Sequence, residues 1–174
     1  MDLAIEIDIA LLVLRLGAGI GLMAHGYGKI FGEGGLTATG NWFESIGVRP
    51  GRLHAVMASS NEILIGLAFA AGLVTSVAAL GYVTLMFVAY WTVHRANGFF
   101  ILKQGWEYVF TLALLSYAIA TIGPGAFSID AVIGIDQYLD GWIGSILGLA
   151  GIFAGVGFLV LFYRPSKIES STEA

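Results

Sequence analysis

Five long apolar stretches alternate with short polar segments along the chain. About 20 apolar residues are needed to cross a bilayer core. The stretches therefore predict membrane helices over approximately 9–29, 53–72, 74–95, 105–122 and 142–163. Only Gly72-Leu73-Val74-Thr75 separates the second from the third, so these two must be antiparallel neighbours. Gly123-Pro124-Gly125 ends the fourth, because proline lacks an amide donor and glycine permits turning. The Gly-rich segment Gly32 to Gly40 reads as a loop. Asn41 to Ile46 then alternates faces as a short interfacial helix would, with Trp42 and Phe43 at the surface. Ser128 to Leu139 reads as a second interfacial helix capped by Ser128. The fold class is an all-α polytopic membrane bundle. Residues 1–141 form a four-helix membrane domain with interfacial helices, 142–163 an additional span, and 164–174 a polar tail with no predicted structure.

Threading these spans sorts the charges. Lys29, Arg49, Arg52, Arg95, Lys103, Arg164 and Lys167 fall on one side, whereas Asp2, Glu6, Asp8, Asp130, Asp136 and Asp140 fall on the other. Cytoplasmic loops are enriched in Lys and Arg, so the N-terminus is expected outside and the C-terminus inside a cytoplasmic membrane. Hydrophobic residues make up 57% of the chain and charged residues 11%, far from the roughly 25% charged content of soluble domains. The first stretch opens on Asp2, Glu6 and Asp8 instead of a basic segment, so it is expected to stay as a span and not to act as a cleavable signal. With no cysteine, disulfides, thiolate nucleophiles and Cys-bound metal centres are excluded within the chain. The net charge of −4, with cations confined to loop ends, gives no nucleic-acid surface.

Small residues suggest where helices touch. Gly17, Gly21 and Gly28 on the first span, and Gly144, Gly148, Gly151 and Gly155 on the last, have the small-xxx-small spacing that lets backbones approach. The last span has no ionisable residue between Trp142 and Tyr163, so it reads as a face toward lipid or a partner protein and not as part of a site.

The chemistry concentrates in charges that loops do not explain. Arg15, Glu62 and, nearer the edge, Glu107 lie in apolar segments, where an unpaired charge costs at least about 2.5 kcal/mol. Arg15, His25 and Lys29 share one side of the first helix, and Ser59-Ser60-Asn61-Glu62 puts polar groups within the second, above His54. Side chains lean toward their helix N-terminus, so Glu62 is expected to meet His25 or Lys29 in preference to Arg15. Tyr82, Met86, Tyr90 and His94 form a stripe on the third helix, read as packing up to His94 and Arg95. The cytoplasmic half thus gathers His25, Lys29, His54, Asn61, Glu62, His94, Arg95 and Glu107, with Arg15 higher up, as candidates for a ligand pocket or proton exchange.

Three readings fit that cluster. Buried ion pairs can simply fix helix register, since breaking one is costly even where the intact pair adds little. A pocket for a quinone or another lipid headgroup would use His25 or His94 as a hydrogen-bond partner and Glu62 or Glu107 for protons. Haem or metal ligation by His25 and His94, joined by His54, lacks any tight ligand spacing, so no metal and no bound cofactor within the chain is expected. A small-solute carrier is disfavoured because inverted repeats and broken mid-membrane helices are missing.

The same residues carry a resemblance. Arg15-Leu16, His25-Gly26-Tyr27-Gly28-Lys29, Trp42-Phe43, Asn61-Glu62, His94 with Asn97-Gly98-Phe99-Phe100, Gly105 with Glu107-Tyr108, and Gly123-Pro124-Gly125 with Ser128 and Asp130 resemble the DoxX family of prokaryotic membrane proteins over residues 9–135. The resemblance implies a four-helix core in the cytoplasmic membrane, with the fifth span as an addition suited to a partner. Some members are named as subunits of a thiosulfate:quinone oxidoreductase, and others are linked to a membrane oxidoreductase complex. On that basis the chain is expected to be the membrane subunit of a redox-linked complex, associating with other membrane or redox proteins or with itself. The alternative is a non-catalytic scaffold or assembly subunit. Lacking cysteine, it would need a partner for any thiol chemistry.

Overall fold

A computed structural model describes residues 3–165. Helix α1 spans Leu3–Phe31, α2 Gly35–Ser45, α3 Gly51–Ala71, α4 Thr75–Ala89, α5 Glu107–Ile122, α6 Ile129–Ile133, α7 Asp136–Leu139 and α8 Gly141–Phe162. α4 continues through a π-type turn at Tyr90–His94 and a 3₁₀ turn at Arg95–Asn97, giving a 23-residue segment. Four of the predicted spans become helices long and apolar enough to cross a membrane: α1, α3, α4 with its extension, and α8. The fourth predicted span is shorter. α5 has 16 residues, or about 24 Å at 1.5 Å per residue, because the chain from Gly98 to Trp106 is spent on turns. Gly105, Trp106 and Glu107 donate their amides back to the carbonyls of Phe100, Gly98 and Phe99.

Two helix groups make up the bundle. α1 packs along α3, with α2 lying across both, and α4 packs with α5 and α8. The α1–α3 seam is a backbone approach. A Cβ on Gly19 would meet the Gly66 carbonyl, one on Gly66 would meet that of Gly19, and Gly26 sits against Ser59. Gly17, Gly21 and Gly28 have no neighbour within 4 Å, so the predicted glycine face of α1 is the wrong one. A bare backbone carries no mark of which neighbour it faces. On α8 the expected spacing holds, with Gly144 against Ala120, Gly148 against Tyr117, Gly151 against Leu80 and Gly155 against Phe87. Thr84 Oγ1 donates to the Gly151 carbonyl at 3.0 Å, and Tyr117 and Ser145 hydroxyls lie 2.6 Å apart. The fifth predicted span is therefore an integral wall of the bundle.

The loops also differ from expectation in two places. The glycine-rich segment is helical from Gly35 onward, and its preceding turn uses Gly34 and Gly35 at φ 71° and 53°. Ser128 to Leu139 is two short helices, broken where Gly134 takes a left-handed conformation. Ser128 Oγ accepts from the Ala131 amide at 3.1 Å, the predicted cap. The tail from Ser166 and the residues Asp2 and Lys167 lie outside the described residues.

Candidate functional site

The described loop cations, Lys29, Arg49, Arg52, Arg95, Lys103 and Arg164, collect at one end of the bundle, called here the basic end, while Asp8, Asp130, Asp136 and Asp140 collect at the acidic end. At the basic end the C-terminus of α8 returns to the start of α3. The Arg49 amide donates to the Phe162 carbonyl at 3.0 Å and the Arg164 amide to the Gly47 carbonyl at 2.6 Å, with Val48 and Tyr163 bridged as extended chain.

Lys29, in the last turn of α1, puts Nζ 2.7 and 2.6 Å from the two carboxylate oxygens of Glu62 on α3. The close seam at Gly26 and Ser59 lets the two side chains meet. This is the ion pair expected from side-chain lean, made by Lys29 and not His25. Its side chains keep 21% and 11% exposure, because the pair borders a cavity of about 200 Å³ between α2, α3 and α4. Asn61, His54, Trp42, Thr92 and Phe158 of α8 share its wall. The His54 ring is 2% exposed, held by edge contacts with Phe158 and Phe162 at centroid distances of 5.0 and 4.6 Å. Its Nε2 is buried without a hydrogen-bond partner.

The remaining predicted residues are elsewhere. His25 is on an exposed face of α1. His94 Nδ1 lies 2.7 Å from the Gln104 carbonyl, so it donates to that carbonyl and ties down the turn after α4. Glu107 accepts from the Ile101 amide at 3.0 Å in the same turn. The Arg95 guanidinium sits 4.1 Å above the Trp91 ring, a cation–π contact. These three residues shape a loop and do not line the cavity. They follow the end of α4 and open α5 at the basic end, and none of them is among the residues that line the cavity. No group of three or more His, Asp or Glu gathers as a metal site among the described residues.

Arg15 belongs to the acidic end. Fully enclosed, it donates from Nη1 to the Ala70 carbonyl at 3.3 Å and from Nη2 to the Phe127 carbonyl at 2.5 Å. Asp130, 1% exposed, contributes to the electrostatics at Arg15 and accepts from the Val74 amide, the Thr75 amide and the Thr75 hydroxyl at 2.6, 2.8 and 2.7 Å. Sequence reading did not single out Asp130 for a role. The signal was a lone acid beside Ser128 facing the four-residue connection whose first α4 amides need acceptors. That connection holds Val74 at φ 42°, a conformation costly for a β-branched residue, and Asp130 clamps it. Gly72, at φ 66°, closes α3 with its amide to Phe69 and that of Leu73 to Ala68. A side chain at Gly72 would also strike the Arg15 guanidinium and Ser128. Nearby, burial beside Gly123, reinforced by Asp136 and Asp130, pushes the Asp140 carboxyl up to about 6.

A second cavity of about 540 Å³ opens between α4, α5 and α8. It is larger but carries no ionisable side chain other than tyrosines. Tyr90 and Met86 of the predicted α4 stripe line it, while Tyr82 is buried with its hydroxyl donated to the Ala18 carbonyl at 3.0 Å. The ionisable side chains Lys29, His54 and Glu62 line the smaller cavity.

Among known proteins, the family model described as DoxX matches residues 10–95, which span α1 to the turn ending α4 and include Arg15, Lys29, His54, Asn61 and Glu62. The match is narrower than the stretch 9–135 over which the motifs run. No curated protein and no solved structure matches the chain.

Proposed function

Proceeding from a DoxX-family membrane protein, whose residues 10–95 carry the family match, we propose that this chain is the membrane subunit of a redox-linked complex and holds a quinone or similar polar lipid headgroup in the basic-end cavity. One observation carries the reading: the Lys29–Glu62 pair, Asn61 and an unpartnered buried histidine share one cavity walled by Trp42, Phe43 and Phe158. Such a combination of apolar wall and few convergent polar groups suits a small headgroup. Glu62 is the proton-exchanging group, Lys29 occupies both of its oxygens until a ligand competes for the pair, and Asn61 offers an amide at the rim. The test is quinone retention through purification into lipid nanodiscs. Asn61→Leu and Glu62→Gln should each lose the bound quinone while the chain still folds; retention in both would refute the pocket.

A second reading has its own support. Both Glu62 oxygens are occupied by Lys29, so the pair is complete as a structural tie between α1 and α3, and the chain would then serve as a non-catalytic scaffold. Co-purification of redox partners with Glu62→Gln unchanged would favour it. In either case we place the basic end on the cytoplasmic side, with the N-terminus outside, from the distribution of Lys and Arg. Cysteines engineered at Asp136 and Lys103 should label from opposite faces of intact cells, Asp136 from outside.

A further inference from the structure

We propose that His54 is the recognition residue for a hydroxyl group brought into the basic-end cavity, so that the site takes a hydroquinone in preference to the corresponding quinone. The proposal rests on the quinone reading above and adds the redox form and the contact atom. Nε2 of the buried ring is without a partner, and Nδ1 is not among the buried atoms that lack one. We take the neutral tautomer with its proton on Nδ1, which leaves Nε2 its lone pair. A buried acceptor without a donor is a standing penalty that a ligand's O–H relieves. Three donors of the same cavity wall are engaged elsewhere, Lys29 by Glu62, Thr92 Oγ1 by the Val88 carbonyl, and Thr84 Oγ1 by the Leu80 and Gly151 carbonyls, and neither Asn61 nor Trp42 of that wall bonds to Nε2. Phe158 and Phe162 fix the ring edge-on, so it cannot turn aside to find another partner.

The two redox forms differ at this atom. A quinone presents carbonyl oxygens, which set lone pair against lone pair; a hydroquinone presents O–H groups, one of which donates to Nε2. The glycerol of a lipid headgroup carries the same hydroxyl chemistry, so the experiment must separate the two sources. Wild-type protein in nanodiscs of neutral lipid is titrated with tetramethylhydroquinone under argon, tetramethylbenzoquinone and a short-chain phosphatidylglycerol. We expect the hydroquinone to bind about tenfold tighter than the quinone, the worth of one hydrogen bond. In His54→Phe the ratio should fall to about one, and in His54→Gln, which offers an amide carbonyl as acceptor, it should largely return. Melting curves of both variants identify any loss that is only misfolding, and His54→Gln then decides. Equal affinity of the two forms for wild type, or a preference that survives His54→Phe, would overturn the His54 assignment while leaving a quinone pocket in place. Binding of the glycerol lipid alone, lost in His54→Phe, supports hydroxyl recognition and overturns the quinone reading. Binding of none of the three overturns both.

Discussion

At the acidic end, Arg15 and Asp130 are enclosed almost completely and bond mainly to backbone: two carbonyls for the guanidinium, whose Nε has no partner, and two amides and one hydroxyl for the carboxylate. At the basic end, Lys29 and Glu62 are spent on each other, keep part of their surface, and border a cavity. Both are pairs of ionisable side chains in a largely apolar chain, yet they meet the cost of burial in different ways. Charges that accept and donate to helix ends stabilise one particular connection, here the tight turn through Val74. A side-chain pair at a cavity edge can exchange its partner for a ligand. On the proposed reading Arg15 and Asp130 serve the architecture, whereas Lys29, Glu62 and His54 serve the ligand.

The sharpest test of that contrast is at the acidic end. Arg15→Leu should leave the Ala70 and Phe127 carbonyls without their donor and Asp130 without its neighbouring cation, and Asp130→Ala should strand the Val74 and Thr75 donors. Each should lower stability by about 3–5 kcal/mol, the range for removing one partner of a buried charge network, read as thermal unfolding in detergent. A wild-type melt for either would dissolve the distinction. At the basic end, Lys29→Met and Glu62→Gln should each cost roughly 1.5–3 kcal/mol, as expected for a charged hydrogen bond. The double variant should depart from additivity by about 0.5–3 kcal/mol; strict additivity would mean that the pair contributes nothing as a pair. Ser128→Ala, which removes only a cap, should cost about 1 kcal/mol and leave ligand retention at the other end untouched.

The smallest expected effect concerns pH. The Asp140 carboxyl is raised from 3.8 to about 6 in the folded chain, chiefly by burial and then by Asp136 and Asp130. Its protonated form is favoured by folding, so its contribution is fully present below about 4 and is lost as pH rises through about 6. Relative to Asp140→Asn, the wild-type melting temperature should therefore fall between pH 4 and pH 7. Parallel pH profiles for the two would show that Asp140 titrates as an exposed acid does.

Much of the architecture was legible in residue order. Long apolar runs marked the spans, Gly72 to Thr75 marked an antiparallel pair, Ser128 marked a cap, and helix-directed lean favoured His25 or Lys29 over Arg15 for Glu62. Three features were not legible. Glycines at 17, 21 and 28 and those at 19 and 26 look alike in a hydropathy pattern, and only the docked α3 distinguishes them. His25, His94 and Glu107 fall in the same half of the chain's spans as Glu62, but position along a helix says nothing of rotation about its axis, and none of the three lines the cavity. Asp130 lies 55 residues from the Thr75 amide that it accepts from, a separation at which no local pattern connects the two.

What the sequence by itself determined is therefore the set of helices and the sorting of their charged ends. Backbone groups in an apolar medium must be satisfied within their own segment, which makes each span a local property of composition and length. The tertiary structure alone decided which polar groups meet. Contacts between helices depend on how closely two backbones approach and how each is rotated, as at Gly19 with Gly66 and Gly26 with Ser59. Those two quantities arise from packing over the whole bundle, and they bring Lys29 to Glu62 and leave His54 Nε2 facing no partner of its own.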